Sequence, residues 1–549
     1  MIGVTYKVEN RKYGVVYTPD SLASFVANLL SNYMQQDSSI KLKNILDPAC
    51  GEGSLLKAFK EICKEEIGFV GIDIDKNATE NISDEFQVFE KDSILPDSST
   101  TTIKYWRKTL PKLQAIIANP PWSSEKIYDR EDLKKAGFNL IEGQYDSYVL
   151  FIELAYNLLE ENGFFAFIIP DSLFDAQNEL LRKFLLEKTQ IKVIARLGEK
   201  LFENVNRATT VIVCQKKQLD DNSKTECFRL STENRREYLA GKKSLMYFYM
   251  KGSHSVLQKR FLMNESFNFD VDTREEEEQL LEKIRKDSIE WDRIFMFGRG
   301  VEISKSGEIT VCMKCGSAQG YTKKQLLDGK KSCTSCGKET PINHNTTQVM
   351  VCEGATNGFS KMIVGEDLHR YKCSTNHYVK LNVTGINYKA DSLYTSPKLL
   401  VRKTGLGIYA AIDYNHELTS QTVYILKYLE DGDNVPLEYY LALLNSRVVY
   451  YYYLKMYGEN EWKSHPYLTK KIIFSLPIRE YEGSKLDKEI IELATRMSHE
   501  YSYDLDVKLE ELIMKKYELS QLDRLFISKE MNNLPDLSSV NNMKFEVIT

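Results

Sequence analysis

The sequence predicts an α/β fold: a Rossmann-like domain followed by a mixed α+β domain. Three observations lead there. Short apolar runs alternate with amphipathic stretches through the first half, a Gly-containing turn follows the first run, and this alternation stops near residue 240. The runs are Asn44 to Leu46, Phe69 to Ile72, Ala115 to Ala118, Phe164 to Ile169 and Ile191 to Leu197. Helical patterns lie between them, as at Ser54 to Cys63 and Tyr148 to Leu159, so repeated βα units around a mostly parallel sheet are expected.

Three regions are expected: 1–240, 241–480 and a helical tail at 481–549. The second region carries strand patterns at Lys398 to Arg402 and Val423 to Leu426, and a helix at Leu437 to Leu444. The run Glu275 to Glu278 reads as a solvated helix face, and Tyr450 to Tyr453 as core aromatic packing.

Composition narrows the class. The 549 residues carry 73 Lys and Arg against 78 Asp and Glu, which excludes a histone-like polycation. Charge is patterned nonetheless: residues 182–260 hold eighteen Lys and Arg against eight Asp and Glu. Neither an apolar signal core at the start nor a long apolar stretch is visible, so a soluble cytoplasmic protein without a membrane partner is expected.

Four of the ten cysteines stand as Cys312-x2-Cys315-x17-Cys333-x2-Cys336, each pair followed by glycine. That spacing reads as a structural zinc ribbon over 308–340, with four thiolates closing a tetrahedral site. Lysines at 314, 330 and 331 could touch phosphates from it, whereas Cys50, Cys352 and Cys373 read as packing.

The chemistry sits at three strand ends. Asp47-Pro48-Ala49-Cys50-Gly51-Glu52-Gly53 follows the first run, and its small residues let a ligand approach backbone. The second run ends in Asp73, placed to accept from ribose hydroxyls. A later run enters Asn119-Pro120-Pro121-Trp122, where two prolines remove donors and leave an amide and rigid carbonyls as acceptors. Such acceptors suit an exocyclic amino group.

This tetrapeptide resembles the Asn-Pro-Pro-aromatic motif of N6-adenine DNA methyltransferases of the TaqI-like group. Similar segments occur in the group's order at Gly14 to Pro19, Lys91-Asp92-Ser93 and Asp146 to Phe151. Further on, Phe297 to Ile303, Pro397 to Lys403 and Leu443 to Arg447 resemble its target-recognition domain. The resemblance implies S-adenosylmethionine as cofactor, held by Tyr17, Thr18, Pro19, Asp47, Ala49, Gly51, Gly53, Asp73 and Asp92. It implies that Asn119 and Pro120 bind the amino group of a flipped-out adenine, with Pro121 completing the motif and Trp122 stacking on the base. Double-stranded DNA is the implied partner, Arg299, Arg402, Lys403 and Lys463 its candidate contacts, and a cognate restriction endonuclease a conceivable companion of a prokaryotic or phage monomer. An RNA adenine or protein glutamine methyltransferase, or a non-catalytic DNA specificity subunit, is the alternative.

Overall fold

The computed structural model describes residues 18–79, 82, 85–122, 128–143, 145–202, 207–303, 307–429, 435–458, 467–535 and 537–545. The chain divides into two compact units, one of residues 1–276 with 455–463, the other of 277–454 with 464–549.

The first unit is built on a nine-stranded sheet of order β3-β2-β1-β4-β5-β7-β6-β8-β9. Its strands are β1 (Asn44–Asp47), β2 (Gly68–Asp73), β3 (Gln87–Glu90), β4 (Leu113–Ala118), β5 (Leu159–Pro170), β6 (Gln190–Gly198), β7 (Thr209–Gln215), β8 (Lys224–Arg229) and β9 (His254–Leu257). From β3 to β5 every pairing is parallel, while β7 runs antiparallel to both β5 and β6. All six residues of β4 are buried, as a central parallel strand covered on both faces requires. On one face α1 (Asp20–Gln36) turns Leu22, Phe25, Val26, Leu29 and Leu30 inward beside α2 (Ser54–Ile62). The other face is covered by the apolar helix α3 (Tyr148–Leu158).

The first unit runs past residue 240, because β8 and β9 extend the sheet. Neither strand has the apolar run that marks the others: β8 reads Lys-Thr-Glu-Cys-Phe-Arg and β9 is four residues long.

In the second unit an antiparallel sheet orders Phe295–Arg299, Val423–Tyr428, Lys398–Arg402 and Ala410–Asp413. The cysteine region forms small sheets from Glu308–Val311, Ala318–Gln319 and Thr347–Val349, and from Lys330–Ser332 with Glu339–Pro341. Residues 481–549 are not a separate tail. Helices Lys485–His499, Tyr503–Lys516 and Gln521–Asn532 belong to this unit, and a buried ion network ties them in. Asp506 receives both terminal nitrogens of Arg370 at 2.8 and 2.9 Å and Nη2 of Arg447 at 3.0 Å.

Two surface expectations resolve differently. Glu277 is buried, not solvated, and accepts the Tyr451 hydroxyl at 2.7 Å. Tyr450 to Tyr453 are all buried, as core packing requires. Among the described residues no helix is long and apolar enough to cross a membrane.

Candidate functional site

In this strand order the chain crosses from one face of the sheet to the other between β1 and β4, which opens a crevice at their carboxyl ends. A cavity of about 310 Å³ lies there. It is lined by Thr18, Asp47, Ala49, Gly51, Asp73, Asp92, Asn119 and Pro121, within the range of small-molecule sites. One pocket thus gathers the ends of four strands and the residues that lead into α1.

The turn after β1 explains how. Gly51 and Gly53 have φ of +48° and +79°, a left-handed backbone that glycine adopts at little cost. The Gly51 amide then points at β2, donating to Asp73 Oδ2 at 2.7 Å, while Asp73 Oδ1 accepts the Asp75 amide at 2.9 Å. Two carboxylate oxygens offer about four lone-pair positions, so Asp73 retains acceptor capacity toward the cavity. Asp47 accepts the Ala49 amide at 3.0 Å, and the Ser93 hydroxyl donates to the Pro48 carbonyl at 2.5 Å. Asp92 Oδ1 accepts the amides of Ile94 and Leu95 at 2.8 and 3.2 Å.

The Asn-Pro-Pro-Trp segment is held from several sides. Asn119 Nδ2 donates to Thr18 Oγ1 at 3.0 Å. The Ser147 hydroxyl donates to the Pro121 carbonyl, and Arg207 Nη1 to the Trp122 carbonyl at 3.1 Å. Trp122 itself does not line the cavity. Its indole is 7% exposed, donates to the Ile168 carbonyl at 3.3 Å and meets the Phe202 ring edge-on at 5.2 Å.

Pro120 is buried beside the cavity without lining it. Pro19 and Gly53 flank it as the residues that open α1 and α2. Tyr17 and Lys463 lie outside the described residues.

Four contributors carried no assigned role in the sequence. Tyr128 lines the cavity and its hydroxyl donates to Asp92 Oδ1 at 3.0 Å. No motif marks it. Ser147 and Phe151 also line the cavity and stand within the segment of family resemblance. Arg207 follows β6 in a loop without a pattern.

Electrostatically the cavity is acidic. Burial pushes the Asp47 carboxyl up to about 8, with the Asp73 charge adding to the rise, and burial raises Asp73 as well. Burial likewise raises the Cys50 thiol, so it offers no thiolate, and a side chain at Gly71 would strike its sulfur.

The cysteine pairs form a second site. Among the described residues Cys312, Cys315, Cys333 and Cys336 bring their sulfurs within 4.8 Å of one another. Cys312 and Cys336 lie 3.7 Å apart, Cys315 and Cys333 3.6 Å. A tetrahedron with Zn–S bonds of ~2.3 Å has edges of roughly 3.8 Å, so the spacing fits. Gly316 and Gly337, at φ of +70° and +72°, return their amides to the Cys312 and Cys333 carbonyls, both at 2.8 Å.

Two family models match separate segments of the chain. Residues 3–247 match the N-6 DNA methylase family, and residues 360–478 match the TaqI-like C-terminal specificity domain. The chain thus carries, in order, a segment similar to N-6 DNA methylases and one similar to TaqI-like specificity domains. The type II methyltransferase M.AccI of Acinetobacter calcoaceticus is 26% identical over 218 residues, 38% of this chain and 38% of the relative. M.TthHB8I of Thermus thermophilus, also a type II methyltransferase, is 27% identical over 205 residues, 34% of this chain and 42% of its own. The matched region thus spans less than half of each relative's length. A type I restriction-modification methyltransferase subunit from Streptococcus thermophilus aligns in structure at a TM-score of 0.35 and 17% identity, over 46% of this chain and 57% of that one. The cysteine cluster lies between the two matched segments.

Asp47 makes the site's electrostatics measurable. Its folded pKa is raised, so between the usual carboxylate value and about 8 the folded chain binds a proton that the unfolded chain releases. Stability contributed here therefore falls as pH rises through that window. Thermal unfolding of Asp47→Asn is expected to show a Tm advantage over the parent that widens from pH 5 to pH 8. A gap independent of pH would contradict the buried, protonated carboxyl.

Proposed function

We propose that the chain transfers the methyl group of S-adenosylmethionine to N6 of an adenine extruded from duplex DNA. The observation that carries this reading is one cavity lined by Asp47, Asp73, Asp92 and Asn119. Within the family the three acids serve the cofactor and the amide serves the base.

The cavity's chemistry suits that cofactor. When bound, S-adenosylmethionine supplies an activated methyl on a cationic sulfur. Asp73 keeps acceptor capacity for ribose hydroxyls, and Asp92 for an adenine amino group, with the Tyr128 ring beside it. Asp47 and Asp73 make the floor negative on ionisation, which favours a cation there. Thr18, Ala49 and Gly51 line the methionine end. Pro19 and Gly53 act by shaping the flanking backbone, and Tyr17 is a cofactor contact on the family resemblance alone.

The chemical difficulty is the weak nucleophilicity of N6, whose lone pair is delocalised into the ring. In this reading Asn119 Oδ1 and the Pro120 carbonyl accept its two hydrogens and aim the lone pair at the methyl. Ser147 and Arg207 hold the neighbouring carbonyls of Pro121 and Trp122, so the acceptors keep their direction without the base. Trp122 supports the segment through its bond to Ile168, and stacking on the base would require its ring to leave that position. An adenine reaches such a pocket only outside the duplex, at a cost of ~3 kcal/mol. Recognition falls to the specificity domain, with Arg299, Arg402 and Lys403 as candidate contacts. This makes the protein a modification enzyme working in the cytoplasm.

The intact cavity weighs against a non-catalytic specificity subunit. The specificity domain weighs against a protein glutamine substrate, and a duplex requirement would set DNA apart from RNA.

Asn119→Ala is expected to lower kcat by roughly 100-fold or more while leaving the cofactor's Kd within about two-fold, as measured by titration calorimetry with S-adenosylhomocysteine. Undiminished turnover would remove Asn119 from the chemistry.

Cys312, Cys315, Cys333 and Cys336 are proposed to bind one structural zinc. Elemental analysis of protein purified without chelators is expected to give one zinc per chain, falling to none in Cys333→Ser. A parent protein without zinc would overturn the assignment.

A further inference from the structure

The excess of positive charge in residues 182–260 has no part in the cavity. Part of it lies on the connector from Arg229, the end of β8, to His254, the start of β9. This connector carries Arg235, Arg236, Lys242, Lys243 and Lys251 against Glu233 and Glu237.

Topology sets its location. Strand β8 is parallel to β6, and β6 and β5 are both antiparallel to β7, so β8 runs in the same direction as β5, β4 and β1. Cys227 of β8 pairs with His254 of antiparallel β9. Both ends of the connector therefore stand at the carboxyl edge of the sheet, the edge that holds the cavity.

Within it, α4 (Leu245–Gly252) turns Leu245, Phe248 and Tyr249 into the core. Tyr247 and Lys251, four residues apart, share one face of this helix, and Lys243 stands just before its cap residue Ser244. The Lys243 and Lys251 ammonium groups each lie 4.6 Å from the Tyr247 ring centroid. Hydrogen bonds from Lys251 and Lys243 hold the Tyr247 phenol below its ordinary pKa. Among the described residues Glu237 is the one carboxylate that pairs with either lysine, 3.7 Å from Lys243 and with both side chains substantially exposed. Lys243 also sits at the N-terminal end of α4, where a helix disfavours a cation and favours an anion. Two ammonium groups gathered on one phenol, at a helix start, form a surface complementary to a row of anions.

We propose that Lys243, Tyr247 and Lys251 form a phosphate-binding strip on the methylase unit that grips the duplex backbone beside the adenine being methylated. The proposal rests on the reading of the chain as a DNA methyltransferase. The two lysines neutralise backbone phosphates and the tyrosine hydroxyl donates to one of them, contacts that position a duplex without reading its sequence. Backbone charge neutralised in this way releases counterions, so its signature is the salt dependence of binding.

The test is the slope of log Kobs against log salt for a duplex oligonucleotide and the full-length protein. Loss of two phosphate contacts in the Lys243→Gln/Lys251→Gln double variant is expected to make the slope shallower by about 1.8. Affinity is expected to fall equally for all sequences, with S-adenosylhomocysteine affinity unchanged as a check on folding. Lys41→Gln/Lys43→Gln, which removes two exposed lysines just before β1 and so at the opposite edge, is expected to leave the slope as it was. An unchanged slope in the strip variant, or an equal change in the control, overturns the strip. A parent protein with no salt-dependent affinity for duplex DNA overturns the methyltransferase reading itself and the strip with it.

Discussion

A buried carboxyl group at the end of β1, Asp47, beside a half-buried one at the end of β2, Asp73, is the constraint from which the site's chemistry follows. Taking Asp47 out of water costs the folded state unless the group is protonated or faces a cation. Nothing in the parallel sheet requires acids there, since strand ends can be closed by neutral caps. Their retention beside a Gly turn makes sense as preparation for a cationic ligand. The Gly51 amide bonded to Asp73 shows how the turn and the acid define each other. A side chain at Gly51 would strain the left-handed backbone that aims this amide.

The same logic of fixed direction extends to the Asn-Pro-Pro-Trp segment. Rigid carbonyls are useful acceptors only if they do not rotate toward water. Proline restricts φ at two positions, the Ser147 hydroxyl and the Arg207 guanidinium donate to the segment, and Thr18 Oγ1 accepts from Asn119, so the segment is held from three separate parts of the chain. The second unit uses charge differently. Arg370, Arg447, Asp506 and Glu510 are almost wholly buried, yet each finds an opposite partner. Such a network contributes little net stability as a set, but removing one member strands the others in a dry interior.

Much of this was legible in the residues. The alternation of apolar runs marked β1, β2, β4, β5 and β6, because central parallel strands are apolar on both faces. The acids at 47, 73 and 92 and the amide at 119 were legible as a group because each follows the end of a strand at one edge of the sheet, where the cavity gathers them. The clustering of the four cysteines was legible because two Cys-x2-Cys pairs, each followed by glycine, form tight knuckles that can bring their sulfurs together. The extension of the first unit past residue 240 was not, since β8 and β9 lack an apolar run. Nor was the burial of Glu277 and Asp506, because partners such as Tyr451 and Arg370 are distant in sequence. Tyr128 and Arg207 meet the site through a side-chain contact that no local pattern encodes, and the Trp122 ring turns inward for the same kind of reason.

Whether the cavity does what its donors and acceptors suit it for can be read from a single product. Duplex DNA incubated with the protein and S-adenosylmethionine carrying an isotope-labelled methyl, then digested to nucleosides, is expected to carry the label on adenine N6 by mass spectrometry. Label found on cytosine or on the protein alone, or absent from DNA under conditions where the cofactor binds, would contradict the account.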